Sequence, residues 1–227
     1  MSVWFTRAPR GEGLSRERIV AAAVELADDG PRGEITMRAL AERVGARSPM
    51  ALYRYVGSKD GLADLLVDEM YGLVTVTRGE GWRPALRSVG RSGWAAVQQH
   101  PWFARLAFSR PPIGPRALDL YEAALAELDP LGLSAPERMG AVSTVLGHVF
   151  GSGLALLEEQ AMRRSTGLAS DRDLAAAAEP YLARIAEAGT HPQFSRWAAD
   201  PGRHAPGPLF EDVLEWLLAG LDARFAP

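Results

Sequence analysis

Between Thr36 and Lys59 the chain gathers side chains suited to holding a polyanion and reading polar edges. Arg38, Arg47 and Arg54 carry planar guanidinium forks that match phosphate and guanine geometry, and Lys59 adds a compact point charge. Tyr53 and Tyr55 supply hydroxyls on flat rings, and Thr36 and Ser48 supply small hydroxyls. Pro49 and Met50 lie within the same run and complete the candidate contact set. The chemistry open to this set is non-covalent: charge-assisted bonds to phosphate and hydrogen bonds to base edges. Enzyme signatures do not compete with it. There is no phosphate-binding glycine loop, no G-x-S-x-G, no H-E-x-x-H and no paired metal-ligand spacing; the four histidines are scattered and cysteine is absent. Neither catalysis nor a metal or other cofactor is expected.

The elements that must position these groups are short helices. Met37, Leu40, Ala41 and Val44 follow an i, i+3, i+4, i+7 spacing and form one apolar stripe. Thr36 stands ahead of it as an N-cap, and Gly45 follows where a helix stops through a positive φ. A second helix starts near Ser48-Pro49, where proline's missing N–H costs nothing. Leu52 and Val56 face inward, which leaves Ser48, Tyr53, Arg54 and Tyr55 for the outer side. Two short helices joined by a glycine turn, with a polar, aromatic and cationic outer face, predict a helix-turn-helix with a recognition helix for double-stranded DNA.

Across all 227 residues the net charge is −3, but it is unevenly spread. Residues 1–59 hold ten Arg/Lys against seven Asp/Glu, whereas residues 60–227 hold fifteen against twenty-one. The basic excess lies with the helix-turn-helix, where phosphate contacts need it. Alternating β-branched runs are missing and helical periodicity recurs, so the chain is expected to be all-α. A first helix is expected over Ser15–Asp29, closed by Gly30-Pro31, and a fourth after Ser58. Further helices are expected near Pro84–Gln99, Trp102–Ser109, Arg116–Leu128, Pro136–Arg164, Asp171–Ala188 and Pro208–Phe225. The Pro- and Gly-rich stretch Gly189–Pro208 reads as a loop. The functional boundary falls near residue 60, giving a three-helix DNA-binding head (1–60) and a larger ligand-binding and dimerisation domain (61–227). Met139–Leu157 is long and apolar enough to span a membrane, but its four glycines and closely flanking charges fit a buried helix better. The N-terminus has no apolar core of signal-peptide length, so a cytoplasmic protein without membrane contact is expected.

These residues carry a family resemblance. The three-helix head, the string Leu52–Lys59 (LYRYVGSK) and the apolar fourth helix resemble the TetR family of bacterial repressors. His100–Leu106 (HPWFARL), Ser109–Pro112 (SRPP), Leu146–Gln160 and Phe210–Leu221 resemble the drug-binding domain of its tetracycline repressor branch. Two departures stand out. Ala46-Arg47-Ser48 makes the turn one residue longer than is usual in the family, which shifts the register of base contacts. The histidines through which the tetracycline repressor holds drug and magnesium are matched here by Thr75 and Leu106, poor metal ligands both. The resemblance therefore implies the architecture and a metal-free organic effector.

Each candidate also has a purely structural reading. The resemblance places a DNA-contacting arginine at Arg38 and a phosphate-contacting tyrosine at Tyr53; a solvated arginine and a core aromatic are the alternatives, and Tyr55 is open between the same two roles. Lys59 stands where a helix N-terminus and an ammonium can share one phosphate, or it is a plain surface lysine. Trp94, Trp102, Phe103, Phe108, Met139, His148 and Phe150 are candidates to line an effector pocket, or are simple core. Arg110, ahead of two prolines, matches a pocket-lining arginine of the related repressors. In the last helix, Phe210, Val213, Leu214, Leu217, Leu218, Leu221 and Phe225 form a stripe too wide for one neighbour, with Trp216 on a further side. With Leu146 and Phe150 of the long helix, and Gly147-x-x-x-Gly151 for close approach, Val213, Leu214, Leu217 and Leu221 are expected to build a four-helix homodimer interface. The expected protein is a dimeric regulator, a repressor on a palindromic operator, released by a small organic effector. The alternative is an all-α small-molecule-binding or scaffolding protein with a vestigial helix-turn-helix.

Overall fold

A computed structural model describes residues 3–5, 14–30, 35–200 and 209–225. Within them the chain forms eleven α-helices and no strand. The first four are α1 (Arg16–Asp29), α2 (Met37–Val44), α3 (Pro49–Val56) and α4 (Lys59–Tyr71). Then come α5 (Trp82–Gln99), α6 (Trp102–Ser109), α7 (Pro115–Leu128) and the long α8 (Ala135–Thr166). Last are α9 (Asp171–Ala188), α10 (Pro192–Ala199) and α11 (Phe210–Phe225). Local signals set the helix ends. The hydroxyls of Ser15, Thr36, Ser58 and Ser170 each accept a first-turn backbone N–H, and Ser170 forms a full capping box with Asp173. Gly45 ends α2 at φ 70°, a conformation that would strain a side-chain-bearing residue.

Helices α1, α2 and α3 pack on one another around Ile19, Ala23, Leu40, Val44, Leu52 and Val56, all buried. Helix α4 packs on α1 and α3 on one side and on α6 and α7 on the other, so one rigid rod touches both the head and the body. Helices α5, α8 and α11 approach closely because α5 and α8 carry glycine at the crossings. A Cβ at Gly90 would lie 2.7 Å from a Leu214 methyl, and one at Gly153 would lie 2.2 Å from Val97 Cγ1. An ion-pair ladder also joins α5 to α11: Arg91 to Glu211 (2.9 Å), Arg87 to Glu215, and Arg83 to Asp222 (3.2 Å).

By packing the chain divides into two compact units, Met1–Leu157 with Phe210–Pro227, and Glu158–Leu209. The second holds the end of α8 together with α9 and α10. Helix α9 has no buried side chain within the chain, and Phe194 and Trp197 of α10 lie ring to ring at 5.2 Å.

Two expectations need correction here. Gly189–Pro208 is not one loop: α10 occupies Pro192–Ala199, with Pro192 at the first helical position, and Pro201–Pro208 lie outside the described residues. Leu146, Phe150 and Leu214 do not face outward for a second subunit. They are buried in their own subunit: Leu214 rests on Gly90 of α5, and Phe150 packs among Tyr71 of α4 and Phe103 of α6. Val213, Leu217 and Leu221 remain half-buried.

Candidate nucleic-acid interface and ligand sites

The outer edge of the head is built by α3 and its flanks. Leu52, Tyr55 and Val56 turn inward, and Arg47, Ser48, Met50 and Arg54 are exposed, with Pro49 and Tyr53 half-buried. Ser48 precedes the helix without spending its hydroxyl on a cap. Lys59 is exposed at the first position of α4, beside N–H groups whose partial positive charge attracts anions. Arg38 is exposed on α2, 3.1 Å from Glu42 one turn on. Thr36 caps α2 through its side chain, which accepts from Ala39 N. Arg47, Ser48, Met50, Arg54 and Lys59 therefore lie on solvent in one stretch of chain. Tyr55 does not join them. It is 7% exposed, because its position lies about 60° from Leu52 on the helix circumference, on the same inward arc, and Arg16 Nε donates to its carbonyl at 3.0 Å.

In the body the candidate ligand residues separate into distinct places. Phe103, Phe108 and Phe150 meet in one aromatic cluster with Tyr71 and Tyr121: Phe103 to Phe150 is 5.1 Å, Phe108 to Phe150 6.3 Å and Tyr71 to Phe103 5.5 Å between ring centres. Phe103 and Phe150 are buried within it, and Phe108 lies at its edge, 59% exposed. Tyr71 donates a hydrogen bond to Tyr121, and burial pushes both phenols above their ordinary range, so both stay neutral. Trp94 and His148 flank Phe210 in a second stack, at 4.5 Å and 4.4 Å with nearly parallel rings. His148 Nε2 lies 3.1 Å from the Phe210 carbonyl. Trp102 belongs to a third group with His100 and Asp28, and exposed Met139 lines a separate cavity of about 470 Å³ with Arg138 and Asp129. Arg110 pairs with Asp60 and, at 3.5 Å, with Asp64. It thereby ties the end of α6 to the start of α4, next to Lys59.

Three functional features escape sequence reasoning. Asp28 of α1 takes Trp102 Nε1 at 2.7 Å and lies 2.8 Å from His100 Nδ1, so a head carboxylate bridges the α5–α6 junction. Asp68 of α4 is buried and accepts the Ala117 N–H at 3.0 Å, capping α7; burial raises its pKa. Tyr71 and Tyr121 complete the aromatic cluster, and only their aromatic type could have flagged them. Thr75 lies beyond the end of α4 and, with Tyr71 and Arg116, lines a cavity of about 410 Å³; Leu106 packs against the core from α6. Among the described residues no three His, Asp or Glu side chains group as metal ligands.

Residues 77–225 match the family model of the tetracycline repressor-like C-terminal domain. A transcriptional repressor of Streptomyces coeruleorubidus, DrrR1, is 33% identical over 219 residues, covering 94% of this chain and 79% of its own. The class C tetracycline repressor of Escherichia coli is 28% identical, covering 77% of this chain and 80% of its own. Among solved structures, the TetR family protein ActR of Streptomyces coelicolor, in complex with (S)-DNPA, superposes with a TM-score of 0.74. It is 26% identical and covers 94% of this chain and 99% of its own. ActR is also known in complex with actinorhodin. A family model over most of the body, a repressor alike along nearly the whole chain, and a helical head bearing a cationic edge agree: the protein belongs to the TetR family of ligand-responsive, non-enzymatic transcriptional regulators.

Proposed function

We propose that this protein is a transcriptional repressor that binds a palindromic operator as a homodimer and is released from it by a small organic effector. The observation that carries the reading is the exposed row of Arg47 and Ser48, just ahead of α3, and Met50 and Arg54 on it, the helix being anchored by buried Leu52, Tyr55 and Val56, with Lys59 beyond it. Two such helices, one per subunit, enter successive major grooves when half-sites lie roughly 34 Å apart. Residues 1–60 act as the DNA-binding head and residues 61–227 as the effector and dimerisation domain, in the cytoplasm. The open face of α8 and α11 favours the dimer. A Cβ at Gly140, Gly147 or Gly151 of α8, or at Gly220 of α11, meets nothing within 4 Å, and Trp216, one turn before Gly220, is 63% exposed. Such small-residue surfaces permit close helix approach across a twofold axis.

The aromatic cluster of Tyr71, Phe103, Phe108, Tyr121 and Phe150 supports an effector with aromatic surface. It borders α4 through Tyr71 and α6 through Phe103, and α6 ends at Arg110 on Asp60 and Asp64. An effector that separates these rings shifts α4 and hence the spacing of the heads. By linkage, its preference for the shifted state sets the loss of DNA affinity. A gel shift with the DNA flanking the protein's own gene tests the reading, with actinorhodin, the molecule found on ActR, as the first release probe. Retarded DNA in a 2:1 subunit-to-duplex complex is expected. Failure to retard that DNA, or a 1:1 complex, refutes it.

A further inference from the structure

Met50 is 72% exposed, on a short helix whose other large apolar side chains face inward. At about 100° per residue, Leu52, Tyr55 and Val56 occupy one arc of α3 and Met50 points almost directly away from it. Arg54, one turn on, shares that outward edge, and Arg47 and Ser48 precede it, exposed as well. An unpaired thioether therefore stands in the middle of a cationic and polar edge. Phosphate oxygens give such a side chain nothing, and burying it against them loses solvation without a compensating bond. The major groove offers one apolar group of its own, the 5-methyl of thymine. A methionine suits it: the side chain is unbranched, adaptable and long enough to follow the groove floor.

We propose that Met50 is a specificity-determining residue that packs on the 5-methyl of one thymine in each operator half-site. The inference rests on the DNA-binding reading above and adds the base that is read. The test starts from duplexes selected by the full-length protein from a random library, so no operator is assumed. Each thymine of the selected site is then replaced singly by uracil, which removes the methyl and leaves every hydrogen bond in place. Wild-type protein is expected to lose affinity about fourfold at one thymine per half-site, and roughly fifteenfold when both are replaced, as burial of one methyl each implies. Met50→Gln keeps the length and the exposed position but not the apolar surface. It is expected to bind the thymine and uracil duplexes equally, and Met50→Leu to keep the difference. A uracil scan without effect on the wild type, or a Met50→Gln protein with undiminished uracil sensitivity, overturns the inference while the regulator reading stands. A wild-type protein that selects no sequence from the library overturns both.

Discussion

Replacing Asp28 by alanine removes the acceptor shared by two buried ring donors. Trp102 Nε1 lies 2.7 Å and His100 Nδ1 2.8 Å from Asp28 Oδ1, and both aromatic residues are buried. A buried donor left without a partner costs about 1–3 kcal/mol. The Asp28 side chain is 34% exposed, so water reaches part of the vacated space and the lower half of that range applies to each donor. The expected loss is about 2–4 kcal/mol, or roughly 4–16 °C in Tm for a chain of this size. Asp28→Asn keeps an oxygen at the same place and loses only the charge assistance, so its cost is expected to be less than half. Urea unfolding followed by circular dichroism measures both. A cycle with Trp102→Phe isolates the contact, because Asp28→Ala then strands one donor instead of two and its cost falls by about 1 kcal/mol. Since Asp28 is on α1 and its partners sit at the α5–α6 junction, the same variant is expected to weaken operator binding. An Asp28→Ala protein within about 0.5 kcal/mol of wild type, or strict additivity with Trp102→Phe, would refute the bridge.

Lys59→Ala is expected to weaken binding alike on all DNA sequences and to lower the slope of log affinity against log salt by about one unit; Tyr53→Ala weakens binding with the fold intact, both read by fluorescence anisotropy at several salt concentrations. Gly147→Arg fits the isolated subunit, because nothing lies within 4 Å of the added Cβ, yet it blocks the face assigned to the partner; light scattering is expected to show a dimer for wild type and a monomer for the variant, and an unchanged dimer would move the interface elsewhere. Burial raises the Asp68 carboxyl above its ordinary 3.8, so the folded state holds that proton more tightly than the unfolded chain. The associated stability is present below that value and is lost as pH rises through the folded pKa. Asp68→Asn, which keeps an acceptor for the Ala117 N–H, is therefore expected to match or exceed wild type at pH 7 and to lose that advantage on acidification, as thermal melts across pH would show. Tetracycline with magnesium is expected to leave the protein–operator complex intact, since the resemblance matches the tetracycline repressor's metal-ligating histidines to Thr75 and Leu106; micromolar binding in calorimetry would overturn this.

Where a feature depends on neighbours along the chain, the amino-acid sequence alone determined it. Thr36 and Gly45 bracket α2 as expected, because a cap and a left-handed stop act within one turn of helix. Helices α6 and α9 run over the residues that periodicity and flanking breakers indicated, Trp102–Ser109 and Asp171–Ala188. The resemblance on LYRYVGSK led to the family in the same way, since that string is contiguous. Helix α10 is hard to read from the sequence because its two turns are short and flanked by Pro and Gly, although Pro192 is itself a start signal. Tertiary structure decided which side of each apolar stripe is already occupied. Leu146, Phe150 and Leu214 belong to the subunit's own core, with Leu214 closing on Gly90 of α5 and Phe150 on the rings of α4 and α6, and a stripe does not show which neighbour covers it. It also decided the pairs that span the chain: Asp28 with His100 and Trp102, Arg110 with Asp60 and Asp64, Asp68 with the start of α7. Such contacts depend on where helices cross, a balance of many packing terms spread over distant positions, and no local run of residues encodes the crossing.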